Sequence, residues 1–482
     1  MIIDRRKPLN ARIGVLTVGH RTYWDQFPGL LDTLMGYVET FKKKLEAEKV
    51  EVIDFGMVDN HQTCAAALDE IQTSRIDLLF VDMATYATSS TWGLICREVR
   101  VPQVLVALQP RRAMDYENAT IRMQLENDNI CSLPEFAGVA ARMGRPVPPM
   151  IIGTLEGDER ADAEIRRWVR IARVLHDLKG ARIGQMGHVL EAMLDMHTDP
   201  TALSAHFGLH VVQTEVEDVL KHYRKVSDKD RQAMGKRILN FFDTPEPGAD
   251  ETAVKLTQAD LEQAAQTALA LERFVDEKEL DGLAYYYEGE TGSEIRKMVS
   301  SFIVGNSLLT AGGFPMCGEM DLKTCIAMMI MDRLDIGGSF AEFHPVDFTE
   351  DFILVGHDGP HHLNIAQGKP VLRSLKLYHG KPGSGASVEF KIKEGPISML
   401  GINQRFDGRF KFIIAEGESR EGLIPATGNT NTRGFFPPDA VSFLKRWLAE
   451  APTHHFALGI GHYAEDLRLL AETLGADWAL TT

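Results

Sequence analysis

Ile13-Gly14-Val15-Leu16-Thr17-Val18-Gly19 is a short, almost wholly apolar run closed by glycine. The same form returns in Val52-Ile53-Asp54-Phe55-Gly56, Ile76-Asp77-Leu78-Leu79-Phe80-Val81-Asp82 and Val104-Leu105-Val106-Ala107-Leu108. Between the first three runs, amphipathic spacing predicts helices from about 29 to 49 and over 61–74. Continuous apolar strands alternating with helices define a parallel sheet covered on both faces. In such sheets ligands approach the carboxyl ends of the strands. Those ends carry Gly19-His20-Arg21-Thr22-Tyr23-Trp24, Met83-Ala84-Thr85-Tyr86-Ala87 and Gln109-Pro110-Arg111-Arg112. Neither G-x-G-x-x-G nor G-x-x-x-x-G-K-[ST] opens any of the helices, so a dinucleotide or nucleoside triphosphate has no support. The Arg111-Arg112 pair reads as a solvated strand end.

Residues 144–165, with Pro146, Pro148 and Pro149 followed by a charge-rich run, read as a connection. A second α/β unit begins at Ala181-Arg182-Ile183-Gly184-Gln185-Met186-Gly187. It continues through His210-Val211-Val212 and polar helices to Asp281-Gly282-Leu283-Ala284-Tyr285-Tyr286-Tyr287. Beyond Phe352 the character changes. Strand-like runs at 371–378, 386–392, 397–403 and 410–415 are separated by glycine-rich turns, which predicts an antiparallel barrel or sandwich. Helices at 439–450 and 464–474 flank an apolar strand at 456–460. The expected fold is α/β: two Rossmann-like domains with parallel sheets (1–178 and 179–335), then an antiparallel β-barrel-like domain (336–482).

Lys plus Arg number 52 and Asp plus Glu 68, a net charge of −16, so phosphate backbones and anionic lipid are repelled. Neither a nucleic acid nor a membrane partner is expected. The five cysteines are odd in number and form no C-x-x-C, which reads as reduced thiols in a cytoplasmic protein. Met1 to Lys7 lacks the apolar core of a signal peptide, and no apolar run is long enough for a bilayer.

The chemistry concentrates between Gly313 and His357. Glu319 follows a Pro/Gly turn and precedes a helix-like run, 322–333. Glu342 lies between Phe340 and Phe343, and His357 ends a short apolar run. A carboxylate in apolar surroundings must be neutralised by a proton, a cation or a metal. Each residue alone has an ordinary reading, such as a helix-start carboxylate. The set, joined by His454-His455, points to a divalent cation held by oxygen and imidazole. His361-His362 reads as a loop or substrate contact. Glu288, Glu290 and Glu294 read as a solvated loop and helix start, and Met328 to Met331 as helix core. Gly428-Asn429-Thr430-Asn431-Thr432-Arg433 fits a turn, from which Arg433 could reach the site.

Gly318-Glu319-Met320-Asp321-Leu322-Lys323-Thr324 resembles the Gly-Glu-Gly-Asp-Trp-Lys-Thr of the L-arabinose isomerase / L-fucose isomerase superfamily. The likeness covers nearly the whole chain and is greater on the arabinose isomerase side. It implies four metal ligands: Glu319, Glu342 (in the family's Phe-Met-Glu-Asp segment), His357, and His455 as the second histidine of a His-His pair. It implies Mn²⁺, with Mg²⁺ or Co²⁺ as less suited substitutes, and a homo-oligomer, trimer or hexamer. The reaction implied is aldose–ketose isomerisation of a sugar such as L-arabinose or a related aldose, through a metal-stabilised enediol. Glu319 and Glu342 would be the acid/base pair.

The sugar-facing positions depart from that pattern. His20 stands where the family has Gln, and Asn127-Asp128-Asn129-Ile130-Cys131-Ser132 lacks the family's loop histidine. Leu190 falls roughly where a Met faces the sugar. With His454 and Arg433, His20 and Leu190 are the candidate substrate contacts, and the altered wall leaves the sugar open. Two other readings stay open: a non-catalytic sugar-binding protein on the same scaffold, and a metal-dependent epimerase or lyase acting on a modified sugar.

Overall fold

The computed structural model describes residues 3–378, 380–381 and 383–482, which form two compact units. One is Leu9–Asp177; the other joins the residues up to Pro8 with Leu178–Thr482.

The first unit is a five-stranded parallel sheet in the order β2-β1-β3-β4-β5. Its strands are β1 (Arg12–Val18), β2 (Glu51–Val58), β3 (Leu78–Met83), β4 (Gln103–Gln109) and β5 (Met150–Thr154). Every residue of β3 is buried, as a sheet covered on both faces requires. The helix His61–Ser74 starts on Asn60, whose side-chain oxygen accepts from the Gln62 and Thr63 amides at 2.8 and 3.0 Å. β5 was not expected. It lies inside the stretch read as a connection, where three prolines precede five residues too few to show a period. As an edge strand paired only with β4, it accommodates proline immediately before it.

In this unit the His176 ring donates from Nδ1 to Asp77 Oδ2 at 2.8 Å, and that bond raises the imidazole above its ordinary value. A raised folded-state value means the pair stabilises fully below the unfolded value of about 6.5. That contribution fades as pH rises through the folded value. His176→Gln should therefore cost stability at pH 5.5 and progressively less by pH 9, read as the difference in urea midpoint from the unsubstituted protein. A pH-independent difference would contradict the assignment.

The second unit opens with β6 (Arg182–Met186) and β7 (His210–Thr214). After the short β8 (Ala253–Lys255) come β9 (Gly282–Tyr285) and β10 (Met316–Cys317). β10-β9-β6-β7 form a four-stranded parallel sheet. The chain then runs through β11 (Gly337–Asp347), β12 (Phe352–His357), β13 (Val371–Leu375), β14 (Gly385–Glu389), β15 (Gly395–Gln404), β16 (Phe410–Arg420), β17 (Thr430–Phe435), β18 (Phe456–Ile460) and β19 (Asp477–Leu480).

Six of these close into an antiparallel barrel, β15-β18-β11-β12-β17-β16, because β16 also pairs with β15 from Gly395↔Ser419 to Gln404↔Phe410. β19 adds to β16 in parallel. β13 and β14, read in the sequence as part of the antiparallel module, join β8 in a separate three-stranded antiparallel sheet. Alternation marks a strand but does not say which partner it pairs with. The 428–433 stretch, read as a turn, runs into β17.

The helix Leu322–Arg333 is buried at all twelve residues, so it presents no face to solvent. It packs against β9 and β10 of the parallel sheet and against β11, β15 and β18 of the barrel. Its N-terminus and the strand ends around it carry the residues described next.

Candidate active site

Glu319 lies two residues beyond β10, at the carboxyl edge of the parallel sheet. It and Met320 both adopt left-handed backbone, with φ of 58° and 57°. Such a conformation costs a non-glycine residue roughly 1–3 kcal/mol and persists only where the surroundings impose it. Here the Met320 amide donates to the Tyr285 carbonyl at 2.9 Å, and Asp321 caps the following helix. Asp321 accepts from the Thr324 amide at 3.0 Å and from the Thr324 hydroxyl at 2.8 Å.

The second Asp321 oxygen also faces His455 Nδ1 at 3.2 Å. A carboxylate only accepts when ionised, so Nδ1 carries the proton and His455 Nε2 presents a lone pair. That Nε2 lies 3.3 Å from Glu319 Oε2, and both atoms are buried without a hydrogen-bond partner among the described residues. His357, at the end of β12, is oriented the same way: its Nδ1 donates to the Asp358 carbonyl at 2.7 Å, leaving Nε2 free. The Phe340 ring packs 4.4 Å from the His357 ring and 4.2 Å from that of His455, and so sets both planes. Burial pushes the His357 imidazole down to about 3, against the pull of Glu342, so it stays neutral.

His357 is fixed further from behind. The His357 carbonyl accepts from His361 Nε2 at 2.8 Å, which makes His361 Nδ1 the acceptor for the Ser339 hydroxyl, also at 2.8 Å. The Ser339 oxygen in turn accepts the His362 amide at 3.2 Å. Burial pushes His361 down to about 4, consistent with this neutral tautomer. The His361-His362 pair is thus a buried brace behind the cluster, and neither ring belongs to the candidate ligand groups.

Glu342, on β11, faces the same cluster. Its Oε1 is 4.0 Å from His357 Nε2 and accepts from His344 Nε2 at 3.1 Å. Its Oε2 accepts from His454 Nε2 at 2.6 Å. Burial would raise this carboxyl, but the His344 and His454 bonds hold it well below the usual carboxylate range. Glu319 differs: burial raises it, and His455 offsets that only in part. Two carboxyl groups in one site are thereby pushed in opposite directions.

Sequence reasoning missed His344. It sits two residues from Glu342 on the same face of β11, a period-2 signal that would have found it. His344 Nδ1 also meets Asn431 Oδ1 at 2.6 Å. Burial works against its proton, but Glu342 and Asn431 together raise its value. Lys323, buried with its ammonium on the carbonyls of Asp195, Met196 and His197 at 2.9, 2.9 and 3.3 Å, was missed as well. It fixes the segment from which Asp195 Oδ2 accepts the His454 amide at 2.7 Å.

Of the candidate substrate contacts, His454 is in the cluster. Leu190 is beside it, its amide 3.4 Å from the Glu319 carbonyl. Arg433 is not brought there: it donates to Glu350 Oε2 at 2.8 Å and to the Leu423 carbonyl at 3.0 Å, over the Phe352 ring. His20 belongs to the first unit, just past β1, edge-on to Tyr23 and Tyr86 at 4.9 and 5.9 Å.

Two overlapping groups could hold a metal ion: Glu319, His357 and His455, and Glu342, His454 and His455, each with ligand atoms within 4.8 Å of one another. The residues fit such an ion. Two imidazoles have their Nδ1 protons committed elsewhere, and the buried Glu319 Oε2 and His455 Nε2 lack a hydrogen-bond partner among the described residues. A carboxylate–imidazole set of this composition suits a borderline divalent cation beside acid–base groups.

No family model matches the chain. Among curated proteins it is similar to the L-arabinose isomerase of Nocardioides sp., 25% identical over 423 residues, covering 86% of this chain and 82% of that protein. It is also similar to those of Pectobacterium carotovorum, 25% identical over 70% of this chain and 67% of that protein, and Aeromonas hydrophila, 20% identical over 86% and 83%. The relatives it resembles are sugar isomerases by name, and the carboxylate–imidazole cluster lies where the parallel sheet meets the barrel. Over most of its length the chain is thus similar in sequence to L-arabinose isomerases. No helix among the described residues is long and apolar enough to cross a membrane.

Proposed function

We propose that this protein is a divalent-metal-dependent aldose–ketose isomerase acting on L-arabinose or a related aldose. The observation that carries the reading is the opposed pair of carboxyls, Glu319 and Glu342, meeting beside imidazole nitrogens whose lone pairs point at the same space. Glu319, His357 and His455 would hold the ion, with Glu342 beside them; Mn²⁺ suits this donor set best. When bound, the ion supplies positive charge against the oxygens on which negative charge develops as a C–H proton leaves.

The polypeptide does the rest. Glu319 and Glu342 are placed to take a proton from one carbon of the substrate and return it to its neighbour, through an enediol. His454, bound to Glu342 Oε2, is placed to exchange a proton with a substrate oxygen, and its exposed side lets the sugar reach it. Phe340 and the brace behind His357 keep the imidazoles from turning. Following the family resemblance, the working form is a homo-oligomer, trimer or hexamer. Residues 1–178, 179–335 and 336–482 are its three domains.

The test is a panel of aldopentoses, aldohexoses and deoxy sugars, with protein loaded with Mn²⁺ or stripped by EDTA. The readout is NMR in deuterated water. The expected result is a ketose carrying solvent deuterium, formed only by the loaded protein. Loaded protein that isomerises none of the sugars would end this reading, and an epimer or a cleaved product would move it to another reaction.

A further inference from the structure

Tyr287 lies two residues past β9 as Glu319 lies two past β10, and these strands are neighbours in the parallel sheet. The same edge of the sheet therefore carries a proton-transferring carboxylate and, beside it, an aromatic ring. Over that ring stands Lys381, from the connection between β13 and β14. Its ammonium is 5.2 Å from the Tyr287 ring centroid and 4.8 Å from that of Tyr378.

Aromatic faces attract a cation, but they are weak acceptors for its three directed N–H bonds. No ion pair joins Lys381 to a carboxylate among the described residues. Burial pushes the ammonium down to about 8, while Asp358 and Glu319 pull it upward. Tyr287, in turn, is raised by burial and by Glu319. Ring and ammonium therefore stand within the electrostatic reach of the carboxylate that handles the proton.

We infer that Lys381, clamped between Tyr287 and Tyr378, binds an anionic group at the end of the aldose remote from its carbonyl. The inference rests on the isomerase reading, which puts the carbonyl end at Glu319 and Glu342. A neutral sugar offers a lysine only weak hydroxyl contacts. A carboxylate or phosphate forms charge-assisted bonds and offsets the partly buried charge. The substrate class this selects is an aldose acid or an aldose phosphate, and both present anionic oxygens to the same ammonium.

The experiment compares KM on Mn²⁺-loaded full-length protein for three series: aldohexuronates, aldose phosphates, and the matching neutral aldoses. It is run for the unsubstituted protein, Lys381→Met and Lys381→Arg. The expected result is a lower KM for one anionic series, which also names the anion. Lys381→Met should raise that KM by about tenfold or more beyond any change for neutral aldoses, and Lys381→Arg should restore most of it. Equal KM values for neutral and anionic sugars, or an equal rise for both on Lys381→Met, would overturn the inference. Lys381 would then only offset the field of its neighbouring carboxylates. Should no sugar be isomerised, the isomerase reading falls separately. The thermal midpoint with uronate or aldose phosphate then judges Lys381 alone: stabilisation lost in Lys381→Met supports anion binding, and no stabilisation by either anion refutes it.

Discussion

Glu342→Gln is expected to lower isomerase turnover by about 10²–10⁴-fold while leaving the protein folded. The amide fits where the carboxylate sits and can still accept from one of the two imidazoles, so circular dichroism and the urea midpoint should change little. What is lost is the ionised state that His344 and His454 maintain on Glu342. Turnover within a factor of a few of the unsubstituted enzyme would remove Glu342 from the proton-transfer steps. Glu319 would then be left to act with a group outside this cluster.

Asp321→Asn should show the second large effect, and should show it first on metal binding. The amide oxygen keeps the cap on Thr324, but an NH₂ group then faces His455 Nδ1 where a carboxylate oxygen stood. His455 must accept there, its proton moves to Nε2, and the lone pair aimed at Glu319 disappears. Mn²⁺ affinity, measured by titration calorimetry, should fall about 10–100-fold with the helix intact. Asp321→Ala adds a lost cap and an unpaired buried imidazole N–H, so it should also lower folding stability by about 2–4 kcal/mol. An Asp321→Asn protein that binds Mn²⁺ as the unsubstituted chain does would show that His455 is not oriented by Asp321.

The Glu342 carboxylate was legible in the sequence, whereas the bond from Asp321 to His455 was not. The helix Leu322–Arg333 was legible to the residue because a turn precedes it and Asp321 caps it. The parallel strands were legible because burial on both faces leaves unbroken apolar runs such as Leu78–Met83. β5 was hidden by the prolines before it. The pairing of β13 with β8 was hidden because strands distant in sequence leave no local mark of their partnership.

At the site, motif wording singled out Glu319, Glu342, His357 and His455, but several of the hydrogen bonds that orient them come from residues outside those motifs. His344 and Ser339 read as ordinary strand residues, and His361 as a loop or substrate contact, until the barrel folds them against the cluster. Arg433 shows the converse: a cation at a suggestive place in the sequence whose strand turns it toward Glu350 instead.

The paired left-handed residues at Glu319 and Met320 have a bearing on how this enzyme would come to life and fail. In the related sequence pattern the second position is glycine, for which that backbone is comfortable. Here a buried methionine occupies it, so the loop has no intrinsic wish to be what it is. It takes its shape from neighbours already in place, among them the Tyr285 carbonyl and the helix beyond. Activity is therefore expected to be lost on mild heating before the circular dichroism of the barrel changes, and simultaneous loss of the two would contradict this.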